Sequence, residues 1–408
     1  MPTRHLPPRP NLRQVRHQAK DLLRAFHRGD HSALADLREY HPERVDPANA
    51  TLADAQLVLA RSYRAPSWPQ LVLACRIIEA TSRDDFDAVR ELVEAHPEVV
   101  RQVGSDHDAG WRSTMANAAD LGLRRVIERL QNLGVRGIKA AAAKPELRQW
   151  LDALRLLGRI GARPSADVVG GAVELLQGVD LAFMVEVGAD VRHHKGLVAL
   201  ALETYARDPE GKHRILELMA EQGIVMPDPP PMALHRGRID LLERHLHRDR
   251  ALLARTFSHR EIFPPELECH ADEDLALVGA PLNGATLLHI ATEYEETEVV
   301  GWLLDKGMNV NIRAGMHSHD FGGHTALFNC VVTYNSGRKD ASLARLLLDR
   351  GGNPNLRASI RKRLPFARDT SVHDYRDVTP LGWGRQFHDQ SYVSQPVVRL
   401  LAERGGHE

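Results

Sequence analysis

Residues 284–311 read GATLLHIATEYEETEVVGWLLDKGMNVN, and the phrase inside them that decides the fold is VVGWLLDKG (299–307). Apolar residues recur there at i, i+3 and i+4, which lines one face of a helix. Gly307 then supplies the left-handed residue at which a helix stops. The phrase returns as RVIERLQNLG (125–134), DALRLLGRIG (152–161), AFMVEVGAD (182–190), RILELMAEQG (214–223), LARLLLDRG (343–351) and VVRLLAERG (397–405). The glycines of these further phrases are Gly134, Gly161, Gly188, Gly223, Gly351 and Gly405. Two more units, FDAVRELVEAHPEVV (86–100) and IDLLERHLHRDRALL (239–253), extend the series. A helix this short cannot bury its stripe alone, so the units must stack on one another. The expectation is an all-α solenoid of helical repeats, with the unequal spacing taken up in loops.

Three units also keep a first half: residues 284–311, 323–355 and 377–405. The first of them resembles the ankyrin repeat over its full length, from Gly-x-Thr-x-Leu-His-x-Ala to the closing Gly-x-Asn-x-Asn. The other two depart from the pattern. Ala326 and Phe328 stand where that family prefers Pro and His, and Gly382 stands at the His position of the last unit. The resemblance implies an ankyrin-type solenoid with recognisable repeats over 256–408, degenerate ankyrin-like repeats over 81–255, and short β-hairpin fingers. It also implies a long insertion, at about 356–376, before the last repeat. Residues 1–80 read as separate helices at 12–30, 31–42 and twice within 52–80, with Ser67 as an N-cap ahead of Trp68 and Pro69. They resemble the helical segment that precedes ankyrin arrays in bacterial proteins, and the expected role is to cap the stack. The resemblance further implies that Thr286, Thr325 and Thr379 cap first helices. It implies that His289 hydrogen-bonds backbone between repeats, and that fingers and first helices line a concave groove.

Composition narrows the function classes. The 408 residues carry a net charge of −1, with 26% charged and 5% aromatic. That balance argues against a dedicated nucleic-acid binder, whose phosphate contacts need a basic excess. Cys75, Cys269 and Cys330 are odd in number and far apart. They fit a reducing compartment and neither a disulfide scaffold nor a cysteine-pair zinc site. No apolar run approaches the ~20 residues that span a bilayer. The opening MPTRHLPPRPNLRQVR lacks the apolar stretch of a secretory signal. The expected location is the cytoplasm, with no membrane partner. Charge is uneven: Glu261–Glu298 holds ten acidic residues and no Lys or Arg, whereas 357–376 holds six Arg or Lys and two Asp. Such runs are usually solvated faces.

Two segments could carry function. The first is GMHSHDFGGHT (315–325). If extended, it would point His317 and His319 the same way, and with Asp320 they are the weak metal candidate. The order His-x-His-Asp is not that of binuclear metal hydrolases, so no metal or cofactor is expected. A partner-contacting finger is the favoured reading of this segment, and a plain solvated loop the bland one. The second segment is LRASIRKRLPFARDTSVHDYRDVTPLGWGRQFHDQ (356–390). Arg361, Lys362, Arg363, Phe366, Tyr375, Arg376, Trp383 and Arg385 include the residue types that dominate binding hot spots. With His317, His319 and Asp320 they make up the expected partner surface. The bland alternative is that these arginines pair with the acidic block at 261–298. The same parts allow an enzyme. Asp320, Asp374 and Asp377 would act as acid or base, His324 or His388 would assist, and Arg376 or Arg385 would hold an anionic substrate. Its signature would be one pocket shared by Asp320, His324, Asp374 and Arg385. The reading favoured is non-catalytic recognition of a protein partner. A hydrolase-like enzyme or small-molecule binder is the alternative, and a bacterial effector or inhibitor of another protein the third.

Overall fold

The repeated phrase forms helices, and the computed structural model shows how each one ends. The structure describes residues 4, 10–83, 85–96, 122–123, 126–127, 148–159, 166–192, 196–270, 279–333, 340–364 and 368–408. Within these the chain is mostly helical. Gly188, Gly223, Gly307, Gly351 and Gly405 all have φ between 79° and 97°. At each, two hydrogen bonds close the helix in the same way. At Gly307 its own N–H donates to Leu304 O at 3.0 Å, and the Met308 N–H reaches back to Leu303 O at 3.0 Å. This is the Schellman closure, which needs a left-handed residue and so favours glycine. A Cβ on Gly307 would meet nothing within 4 Å. Gly307→Ala is therefore expected to destabilise by backbone strain alone, about 1 kcal/mol, read as a lowered urea midpoint. Of the phrase at 125–134 only Val126 and Ile127 are described, both buried in helix, and Gly134 and Gly161 lie outside the described residues.

The contacts divide the chain into two compact units, Met1–Asp167 with Ala182–Ala189, and Val168–Leu181 with Asp190–Glu408. In the first, helices Leu12–His27, His31–Tyr40, Leu52–Ser62, Trp68–Ser82, Phe86–Glu94 and Arg148–Arg159 pack in succession. The first helix buries Val15, Ala19, Leu22 and Phe26, one stripe at helical spacing. Asn11 caps it by accepting from the Arg13 N–H, and Thr51 with Asp54 forms a reciprocal capping box on the third. Ser67 occupies the N-cap position ahead of Trp68 but makes no capping bond. Pro69, in that first turn, has no N–H to satisfy.

In the second unit, helix pairs follow one another: Pro230–His235 with Ile239–Arg248, Leu287–Glu293 with Thr297–Asp305, Ala326–Val331 with Ser342–Asp349, and Pro380–Gln386 with Gln395–Glu403. First helix packs on first helix along the series. The asparagines of Gly-x-Asn-x-Asn explain part of the register. Asn311 accepts the Asn353 N–H at 2.7 Å and donates to Gly351 O at 3.0 Å. Asn355 repeats this with the His407 N–H at 2.7 Å and Gly405 O at 2.9 Å. Ion pairs Asp305–Arg350 and Asp349–Arg404, both 2.8 Å, run parallel to it on the second helices.

The segment before the last pair departs from the lengthened loop expected there. It folds as an antiparallel hairpin, β1 (Ala358–Lys362) and β2 (His373–Val378), with Ile360 opposite Tyr375 and Arg361 opposite Asp374. Alternation along β1 buries Ala358, Ile360 and Lys362 and leaves Arg361 exposed. Phe366 lies outside the described residues.

Candidate functional site

Between the helix pairs, backbone from successive turns is joined into one hydrogen-bonded ribbon. The Phe257 N–H donates to Ala285 O, and the Gly284 N–H to Phe257 O, both at 2.8 Å. The Gly315 N–H donates to Gly284 O at 2.8 Å, and the Gly322 N–H to Ser359 O on β1 at 2.7 Å. The hairpin and the histidine-rich loop are thus neighbours on the same ribbon.

What joins their side chains is Phe321, which is buried. The Arg361 guanidinium lies 4.3 Å from its ring centre and that of Arg376 4.4 Å. Asp374 holds Arg361 in a two-point contact of 2.7 and 2.9 Å and stands 3.8 Å from Arg376. Hydrogen bonding to Arg361 keeps the Asp374 carboxyl below the ordinary carboxylate range. Both arginines remain exposed at their edges. The tip of the loop, His319 and Asp320, is exposed and takes two successive left-handed conformations, φ 66° and 62°. Two adjacent non-glycine residues there store backbone strain. Met316, beside the tip, is 61% exposed.

Several expectations change on this geometry. His317 and His319 do not point the same way, because 318–320 is a tight turn rather than an extended run. His317 Nε2 instead contacts Asn283 O at 2.8 Å. Lys362 is not a surface residue. It is 1% exposed and its ammonium donates to Gly279 O at 2.6 Å. Trp383 is wholly buried, 5.8 Å from Phe328 and 5.6 Å from Phe387, and so belongs to the core rather than to a partner surface. Tyr375 is buried opposite Ile360. Arg363 is half-buried past the end of β1.

Several residues of the enzyme reading are taken up by partners of their own, and Asp320 is exposed at the loop tip. His324 is buried, and burial followed by the neighbouring His289 holds its imidazole well below the ordinary range. It is therefore no groove-lining base. Asp374 is held by Arg361, Asp377 by Arg357, Arg385 by Glu408, and His388 by Tyr375. Asp369, Ser371 and His373 come together on the hairpin, but not as a nucleophile and its base. Ser371 donates to Asp369 at 2.5 Å, and serine and aspartate both face the same imidazole nitrogen, His373 Nε2.

The residues named as structural occupy helix starts. Thr286, Thr325 and Thr379 are the N-cap positions of their helices. Thr379 accepts the Gly382 N–H at 3.0 Å, while Thr325 Oγ1 is buried with no hydrogen-bond partner among the described residues. His289 Nε2 faces His324 O at 3.0 Å, and Nδ1 faces the Thr286 N–H and hydroxyl at 3.3 and 2.8 Å. A carbonyl can only accept and a backbone N–H can only donate. The ring is therefore neutral, with its proton on Nε2.

A buried ionic cluster went unread in the sequence. Arg207 donates to the Glu293 carboxylate and to Glu293 O, each at 2.8 Å, and to Thr204 O and Ala206 O. Lys212 stands 2.8 Å from Glu296, which also meets His213 at 2.9 Å. Tyr294 lies between these pairs in sequence, with Lys212 4.0 Å and Arg207 5.0 Å from its ring centre. Burial pushes the Glu296 carboxyl up, and Lys212 and His213 outweigh it, leaving it below the ordinary range. Among the described residues of the acidic block, Glu293 and Glu296 meet cations at Arg207, Lys212 and His213, and Glu261 meets Arg255, while Arg361 of the hairpin pairs with Asp374. Residues 271–278 of the block lie outside the described residues. The only signal in the sequence was the block's lack of any cation of its own.

No curated protein matches the chain significantly. The family model of the ankyrin repeat matches residues 283–314. Residues 283–314 therefore form an ankyrin repeat, a type of module for protein–protein interaction.

Proposed function

We propose that this chain is an ankyrin-type solenoid that recognises a protein partner through the loop tip at 316–320 and the outer face of the hairpin. The observation that carries the reading is the pair of guanidiniums held ready on Phe321. Arg361 and Arg376 are already ordered by the ring and by Asp374, so little side-chain entropy is left to lose on binding. The exposed Met316 beside them adds an apolar contact of the adaptable kind. Separately reduced, buried cysteines are compatible with cytoplasmic work.

The test is affinity capture from source cells with quantitative mass spectrometry, using Arg376→Glu and Met316→Asp as controls. Either change is expected to weaken a stoichiometric partner by ~2 kcal/mol or more, roughly 30-fold in Kd, at unchanged melting temperature. A partner retained by both variants, or none captured by the intact chain, overturns the reading. Charge reversal at Lys362 cannot serve here, because it would place a carboxylate in the core.

A further inference from the structure

Strand β2 meets the end of the Pro380–Gln386 helix through two imidazoles. The rings of His373 and His388 lie 3.9 Å apart and within 6° of parallel. Tyr375, on the same strand, brings its hydroxyl 2.7 Å from His388 Nδ1 and accepts the His388 backbone N–H at 3.0 Å. Phe387 packs 4.5 Å from the His388 ring. The other nitrogen, His388 Nε2, is buried with no hydrogen-bond partner among the described residues. On the strand side, His373 Nε2 faces Asp369 at 2.8 Å and Ser371 at 3.0 Å.

The charged groups around His388 come from every neighbouring element. Lys362 on β1 and His373 on β2 oppose a positive charge on His388, and Asp369 before β2 and Asp389 beside it favour one. Arg368 acts on Asp389. Asp369 stays ionised across the physiological range, because Ser371 and then His373 hold its carboxyl down to about 2. A proton added to His388 would sit on a buried nitrogen without an acceptor. It would also lie face to face with a ring already turned toward a carboxylate.

We propose that the cofacial His373–His388 pair is an acid-sensitive latch, which holds strand β2 on the last helix pair and releases it as pH falls. Burial, then His373, keeps the docked His388 imidazole below its ordinary value of 6.5. Release restores that ordinary value. Docking is therefore complete above pH 6.5 and weakens below it, by up to about tenfold per pH unit. The latch acts whatever the hairpin surface binds.

Hydrogen exchange of the intact chain, corrected for the intrinsic rate at each pH, tests this. Between pH 6.5 and 5.0, protection of amides 373–378 is expected to fall about tenfold or more beyond any fall in the Ser342–Asp349 helix, which reports the stability of the whole unit. His388→Phe keeps an aromatic ring and removes the titration, so in that variant the strand should lose no more protection over the range than the helix does. The proposal is overturned if strand and helix of the unaltered chain lose protection in step, or if His388→Phe retains the strand's excess loss. Should that variant not fold, NMR titration of His388 in the unaltered chain decides. An imidazole titrating at or above 6.5 with the strand still protected would exclude the latch.

Discussion

Replacing Arg207 by Met is expected to destabilise the second unit by ~3–5 kcal/mol, the range for removing one partner of a buried ion pair. Arg207 and Glu293 are 4% and 3% exposed. Loss of the guanidinium leaves the Glu293 carboxylate with only the Asn329 amide, 3.1 Å away, among its described partners. It also strands the Thr204, Ala206 and Glu293 carbonyls, which Arg207 alone is seen to satisfy from that side. Against a total stability of about 5–15 kcal/mol, this is a large fraction. It should appear as a melting temperature lower by roughly 10 °C. The double change Arg207→Met with Glu293→Met removes the orphaned charge and should recover a substantial part of the loss. If Arg207→Met alone unfolded at the same urea concentration as the parent, the pair would not be buried as described.

Acid should weaken the same unit well before its carboxylates titrate. His235, His289 and His324 are all buried. Burial pushes His289 down to about 4, against a partial pull upward from the His324 carbonyl. Burial holds His235 well below 6.5, with Lys212 acting in the same direction. Burial does the same to His324, with His289 adding to it. Each ring is neutral when folded and takes up a proton when unfolded. The stabilisation is therefore complete above pH 6.5 and is lost as pH falls from there toward the folded value. For His289 the span from 6.5 to about 4 corresponds to ~3 kcal/mol. The urea midpoint should drop steeply between pH 6.5 and 4.5, with a shallower drop in His289→Gln. A flat midpoint across that window would show that these rings are not buried neutral.

Much of the local architecture could be read from residue order because it depends on neighbours in the chain. A glycine in the left-handed region ends a helix whatever surrounds it, and Gly307, Gly351 and Gly405 all do so. The stripe of Val15, Ala19, Leu22 and Phe26 follows from helical spacing alone. The candidate surface was legible only in outline. Arg361, Lys362 and Arg363 look like one run of charge. A strand, however, sends alternate residues to opposite faces, so Arg361 goes to solvent and Lys362 to the core. That the segment is a strand depends on pairing with residues 373–378, more than ten positions away.

The same limit applies to the charged interior. Arg207 and Glu293 are separated by 86 positions. Nothing short-range marks them as partners, since a charge is normally most stable in water. By itself, the order of residues determined where helices start and stop, which faces are apolar, and that residues 283–314 carry one ankyrin repeat. Tertiary structure alone decided which charged and aromatic residues are withdrawn from solvent. Withdrawal is favourable only when a distant partner supplies the compensating charge or carbonyl, as Glu293 does for Arg207 and Gly279 for Lys362.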